Sequence, residues 1–225
     1  MASEGEIILD YQNTLIRKSD FASLNSGQWL NDNIISFWFE YLENVLYADY
    51  AQKVCFISPQ VSQLIKSAAE YSTQQEDVRI MLESMNLKNR DLILLPISDC
   101  PTNSRSTGGS HWSLLAFVNS NRTFEHYDSF QGSVNHLHAQ SVFSVLHNIL
   151  ISNREASLDL DFVEMACRQQ TNSYDCGIHL LLNAEALCKK VFKKDYRKLF
   201  DIVTPSAISQ ARDNIKELIM KMRND

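Results

Sequence analysis

A cysteine set between turn formers and a helical apolar pattern is the strongest chemical feature of this 225-residue chain. In the stretch from Arg168 to Leu187, Thr171, Asn172, Ser173 and Asp175 precede Cys176. Their side chains bond nearby backbone groups and so favour a turn or a helix cap over a continuing strand. After Cys176, Ile178, Leu181, Ala184, Cys188 and Val191 recur at three- and four-residue steps. That is the spacing of a helix with one buried face, entered through Gly177. Cys176 is therefore expected at a helix N-terminus, where unpaired N–H groups and the positive end of the macrodipole favour a thiolate. This suits a nucleophile; the competing reading of the same pattern is a small, buried, unreactive cysteine.

A nucleophilic thiolate needs a base, and the base needs an orienting partner. His111 and Asp128 fit those roles. H-W-S-L-L-A-F-V from His111 to Val118 reads as a buried strand, Asn119 to Arg122 as a polar turn, and T-F-E-H-Y-D from Thr123 to Asp128 as a second strand. If Val118 pairs with Thr123, Ser113 lies opposite Asp128, and period-two alternation makes His111 and Asp128 diagonal neighbours on one face. In that register the carboxylate holds one imidazole nitrogen and leaves the other for the cysteine, the Cys-His-Asp form of the triad. Geometry alone leaves His126 as an alternative base, since it lies on the same hairpin.

These residues need a frame. Ile7 to Tyr11 reads as a short strand or arm. Asn31 is expected to cap a helix bearing Ile34, Phe37 or Trp38, Tyr41 and Val45. Ser58-Pro59, a cap followed by proline at the first helical position, starts another with Val61, Leu64, Ile65 and Ala68 on its apolar face. Val78, Met81, Leu82 and Met85 predict a third helix. From Asp91 the character changes: Leu92 to Ile97, His111 to Val118, Thr123 to Asp128 and Leu160 to Met165 predict four strands of a central sheet, with a helix carrying Val142, Val145, Leu146 and Ile149 before the last of them. A final helix starts at Thr204-Pro205 with Ile208, Ile215, Leu218 and Met222 inward. The fold class is α+β, with a mainly helical N-terminal part, a central mixed sheet and flanking helices.

H-W-S-L-L at His111, Y-D-S around Asp128 and Q-x-N-S-Y-D-C-G from Gln170 to Gly177 together resemble the signature of the sentrin-specific (Ulp-type) cysteine proteases, and the order His, Asp, Cys matches. Q-W-L-N-D from Gln28 to Asp32 is similar to that family's substrate-entry motif, so the resemblance spans nearly the whole chain. Within the family it points to the small deneddylating members, whose chain is little more than the catalytic domain. The resemblance implies a papain-like core and a thiol isopeptidase that cleaves after the C-terminal Gly-Gly of a ubiquitin-like modifier. It favours the neddylation modifier's precursor and its conjugates, cullins among them. The H-W pair decides for His111 over His126.

The resemblance assigns Gln170, six residues before Cys176, to the oxyanion of the tetrahedral intermediate, a task suited to a side-chain amide. It makes Trp29 and Trp112 a narrow tunnel over the diglycine tail, with Asp32 helping to position it; glycines, lacking Cβ, fit such a slot. The polar loop from Ser98 to Ser110, with Gly108-Gly109 as a hinge, suits a flap that orders over a bound tail. Two rivals remain. One is a SUMO-directed protease, disfavoured because such relatives usually carry a long N-terminal extension. The other is a non-catalytic module that binds ubiquitin-like tails, disfavoured because His, Asp and Cys are all present.

Composition bounds the rest. The length and an apolar fraction of 44% suit one domain over residues 1–225. A net charge of -6 argues against a general nucleic-acid binder. Five cysteines, at 55, 100, 167, 176 and 188, contain no C-x-x-C pair, as expected of reduced thiols inside a cell. Cys176 and His179 have C-x-x-H spacing but no second matching pair, which argues against a zinc site, and the thiol isopeptidase that the resemblance implies needs no metal or organic cofactor. The first residues lack the pattern of a signal peptide and no apolar stretch approaches membrane-spanning length. A cytoplasmic or nuclear monomer acting on protein partners is expected, and the basic run from Lys189 to Lys198 reads as the solvated end of a helix.

Overall fold

The computed structural model describes residues 5–71, 75–102, 108–151 and 160–224. The chain opens with an antiparallel hairpin, β1 (Ile7–Tyr11) and β2 (Thr14–Arg17), turned at Gln12, which takes a φ of 52°. A short helix, α1 (Lys18–Ala22), follows, then α2 (Asp32–Tyr41). Asn31 caps α2 as its residue type predicts, its side-chain oxygen accepting from Ile34 N at 3.2 Å. Strand β3 (Val54–Phe56) leads to α3 (Pro59–Glu70), capped by Ser58 Oγ from Val61 N at 3.3 Å, and α4 (Gln75–Ser84) completes this part.

The main sheet adds β4 (Leu92–Ser98), β5 (Trp112–Val118), β6 (Thr123–Tyr127) and β7 (Asp161–Met165) in the order β3-β4-β5-β6-β7. The outer pairs, β3 with β4 and β6 with β7, are parallel and the inner two antiparallel, so the sheet is mixed. It has five strands where the sequence predicts four. β3 is three residues long, too short for alternation to show, and the second strand of the hairpin was likewise not anticipated. Pro96 is tolerated within β4 for a geometric reason. Leu94 O accepts from Ile57 N, so every second residue of β4 aims its backbone groups at β3. Pro96 comes two residues later, past the end of that pairing, where a missing N–H costs no ladder bond.

Helices cover both faces. Leu92 and Leu94 of β4, with Leu114 and Ala116 of β5, pack on α2, on α6 (Cys176–Phe192) and on α8 (Pro205–Asn224). Ile93, Leu95, Leu115 and Phe117 face α3, α4 and α5 (Asn135–Ile151). A short α7 (Leu199–Ile202) joins α6 to α8. Apolar residues on consecutive positions of β4 and β5 are thus explained by burial on both sides.

Candidate active site

The expected β5–β6 register is the observed one. Val118 pairs with Thr123 and Leu114 with Tyr127. The hairpin therefore delivers His111 and Asp128, each one residue beyond its strand, to the same end. His111 Nε2 and Asp128 Oδ1 are 2.7 Å apart. The carboxylate is fixed from two further directions: Phe130 N donates to Oδ1 at 2.9 Å and Ser133 Oγ to Oδ2 at 2.6 Å. Burial would raise the Asp128 pKa, but the hydrogen bonds from His111 and Ser133 outweigh it and hold the group below the usual carboxylate range. Burial alone would lower that of His111. Hydrogen bonds to Asp128 and Cys176, with their charges, overcome it and raise His111 to about 9.

Cys176 is the first residue of α6 and 1% exposed, and its side chain acts with Asp128 in raising the His111 pKa. With Nε2 committed to Asp128, Nδ1 is the nitrogen left for Cys176. The turn before Cys176 is knitted by Asn172, whose side-chain oxygen accepts from Tyr174 N and Asp175 N, both at 3.0 Å. Asp175, at the N-cap position, does not cap the helix with its side chain. Its carboxylate accepts instead from Asn172 Nδ2 at 2.8 Å and from Arg212. The first N–H groups of α6 thus have no side-chain cap from Asp175 competing for them.

The aromatic walls converge on this helix terminus. Trp29 is half exposed and donates from Nε1 to Ser173 O at 2.7 Å; Trp112 donates from Nε1 to Leu30 O at 3.0 Å. Leu30 lies directly against Gly177, where an added Cβ would come within 2.8 Å of Leu30 Cβ. Gln170 reaches the same region. Its Oε1 accepts from Ser129 Oγ at 2.9 Å and its Nε2 donates to Asn172 O at 2.6 Å, which leaves one amide hydrogen for another acceptor. Asp32 is exposed at the start of α2 and accepts from Gln60 Nε2 at 3.1 Å, on the α3 side rather than at Cys176.

The loop from Ser98 to Ser110 has a pinned base. Asp99 accepts from Ser110 N and Ser110 Oγ, both at 2.6 Å, and from His111 N at 3.0 Å. Buried Lys66 donates to Ser98 O at 2.7 Å and Cys100 O at 2.6 Å. Gly108, with φ at 143°, holds a conformation that favours glycine, but Gly109 is packed against Ser98 and Asp99, so the pair is not a free hinge. Residues 103–107 of the expected flap lie outside the described residues.

His126 cannot serve Cys176. It pairs with Leu115 on the α5 face, is fully buried, and has both nitrogens engaged, Nδ1 with Glu164 and Nε2 with Ser113 Oγ, each at 2.8 Å. Three other cysteines are locked as thiols: burial pushes Cys55 and Cys167 up to about 12 and raises Cys188 as well. Sequence reasoning missed Asp99, Ser133 and Arg212. For Arg212 a signal existed, because it falls on the inward stripe of α8 beside Ala211 and Ile215.

A sulfur at a helix N-terminus, an imidazole whose basicity is raised above the ordinary range and a carboxylate anchoring that imidazole can carry out nucleophilic attack on an acyl carbon. Comparison with known proteins agrees with that chemistry. The model of the Ulp1 protease family, C-terminal catalytic domain, matches residues 28–221. Sentrin-specific protease 8 of Mus musculus is 37% identical over 216 residues, covering 96% of this chain and 93% of that protein. NEDD8-specific protease 1 of Arabidopsis thaliana is 29% identical over 231 residues, covering 99% and 96%. Among solved structures, the SUMO protease Ulp1 with its catalytic cysteine oxidised to a sulfinic acid superposes with a TM-score of 0.72 at 21% identity, over 100% of this chain and 91% of that one.

Proposed function

The chain belongs to the Ulp1 protease family, and from that premise we propose that it is a deneddylating thiol isopeptidase, acting as a single-domain monomer after the C-terminal Gly-Gly of the neddylation modifier. One observation carries the reading: near-full-length similarity to relatives named sentrin-specific protease 8 and NEDD8-specific protease, in a chain where Asp128 stands 2.7 Å from His111 and Cys176 helps to raise the His111 pKa. Its substrates are the modifier's precursor and its conjugates, cullins among them. Free cysteines throughout support a reducing compartment, the cytoplasm or nucleus.

The steps use side chains and backbone N–H groups of this chain, with water as the second nucleophile. His111 Nδ1 takes the Cys176 thiol proton while Asp128 holds Nε2. The thiolate attacks the carbonyl carbon of the last glycine, and its oxygen, now negative, accepts from the free Gln170 amide N–H and the uncapped N–H groups of α6. As the C–N bond breaks, His111 returns its proton to the leaving amine, and a thioester remains on Cys176. Water, deprotonated by His111, attacks the thioester; the thiolate leaves and the modifier departs with a free carboxylate. Trp29 and Trp112 flank an extended tail, and glycines pass between them most readily because they carry no Cβ.

Incubation with C-terminally extended precursors of the neddylation, SUMO and ubiquitin types tests the assignment. Cleavage of the neddylation precursor at a kcat/KM at least tenfold above the others is expected. Preferential cleavage of the SUMO precursor would overturn the substrate, and binding without cleavage of any would favour a tail-binding module.

A further inference from the structure

Arg212 is an arginine buried at an inward position of an otherwise apolar stripe on α8, 8% exposed. Burying a guanidinium is costly unless its donors are satisfied. Here they are satisfied by two separate segments. Toward the first, Nη1 donates to Ser23 O at 2.9 Å and Asn25 O at 3.2 Å, and Nη2 to Gln28 O at 2.8 Å. Toward the second, Nη2 donates to Tyr174 O at 3.0 Å, while Nε and Nη2 hold Asp175 Oδ1 at 3.0 and 2.9 Å. The cation also lies 5.6 Å from the centre of the Tyr174 ring.

What those segments lead into gives the contacts their meaning. Gln28 is followed by Trp29, and Asp175 by Cys176. One planar fork thus ties the backbone entering the aromatic wall to the backbone entering the nucleophile's helix. The Trp29 to Ser173 hydrogen bond and the Leu30 to Gly177 contact close the same junction from the cleft side. From Asp175 the connection continues through Asn172 to Gln170.

We propose that Arg212 is a positioning residue that fixes the separation between the Trp29 wall and the Cys176 helix terminus, holding the slot at the width an extended diglycine tail requires. It touches neither tail nor sulfur. The proposal rests on the isopeptidase reading, and deepens it by placing control of the slot on α8, outside the signature motifs. A lysine keeps the charge beside Asp175 but presents a point where the fork presents two edges, so it cannot hold both segments.

The test is Arg212→Lys, with Arg212→Gln as a second variant, each compared with the unmodified protein in three measurements. The first is kcat/KM on a neddylation-type modifier joined through its diglycine to a fluorogenic amine. The second is the rate and pH profile of Cys176 alkylation by iodoacetamide, which needs no slot. The third is hydrogen exchange of residues 23–30 and 172–178. Expected are a fall in kcat/KM of at least tenfold, alkylation within twofold with an unchanged pH profile, and faster exchange in both segments together. A parallel fall in both reactivities, no fall in either, or faster exchange confined to one segment would overturn the proposal. If the unmodified protein acts on no modifier, the isopeptidase reading fails, and the exchange result alone decides whether Arg212 joins the segments.

Discussion

His111 Nε2 and Asp128 Oδ1 stand 2.7 Å apart, and the carboxylate receives a backbone N–H from Phe130 and a hydroxyl from Ser133 besides the imidazole. An acceptor fixed on three sides cannot turn away, so the ring is held with one defined nitrogen toward Cys176. The Asp128 bond and the neighbouring sulfur together keep His111 protonated well above the ordinary imidazole range, to about 9, against the opposing effect of burial.

That value predicts a pH profile. His111 must be protonated to release the amine, so kcat/KM should fall as pH rises through about 9. Asp128→Asn removes the leading cause of the raised pKa and leaves the effect of burial, so the alkaline limb should move to lower pH. An unmoved limb would show that another group produces it. Stability follows the same sign. The His111 contribution, with a folded pKa above its ordinary 6.5, is fully present below that pH and lost as pH rises through about 9. The Asp128 contribution, with its pKa lowered from 3.8, is present above that pH and lost as pH falls through the lowered value.

The two histidines of the hairpin should differ in chemistry rather than in stability. His111→Ala should lower kcat by about 10²–10⁴, the usual range for a positioned base, and should also lower Tm, because it takes the imidazole away from the Asp128 carboxylate. His126→Ala should lower Tm alone. It strips one of two partners from buried Ser113 Oγ, which keeps Asn135, and one from half-exposed Glu164, a loss that costs about 1–3 kcal/mol, and leaves the folded protein active within about threefold. Loss of turnover in folded His126→Ala would overturn the assignment.

Much of this frame was legible in the chain, for identifiable reasons. The register followed from taking Asn119 to Arg122 as the turn and setting Val118 opposite Thr123, and a one-residue slip would have broken the pairing of His111 with Asp128. Asn31 and Ser58 announced their helices because caps are local chemistry. What was not legible depends on distant partners. β3 exists because β4 is beside it, and three residues carry no period of their own. Gly109 looked like a hinge because packing against Ser98 and Asp99 leaves no trace in a glycine's neighbours. Arg212 shared the inward stripe of α8, but its role depends on acceptors nearly two hundred residues away in sequence.

Gly177 gives a prediction in which two effects compete. On helix propensity alone, alanine for glycine stabilises by about 1 kcal/mol. Here the new Cβ would press into Leu30, and overpacking typically costs about 1–3 kcal/mol. Gly177→Ala should therefore lower Tm, and displacement of Leu30, which receives the Trp112 indole N–H, should lower kcat/KM at least tenfold. Equal or higher Tm with full activity would show that Leu30 gives way freely.

Gln170→Ala should reduce kcat by about 10²–10³, the measured scale for loss of one oxyanion donor, with KM little changed. A matching rise in KM instead would assign Gln170 to substrate binding.

The most direct measurement is to expose the protein to neddylation-, SUMO- and ubiquitin-type modifiers bearing C-terminal electrophiles, weigh the products intact and map the modified residue, with Cys176→Ala alongside. Isopeptidase action predicts a one-to-one adduct with the neddylation modifier, attached at Cys176 and absent from the alanine variant. An adduct at another cysteine, or none from folded protein with any of the three, would contradict it.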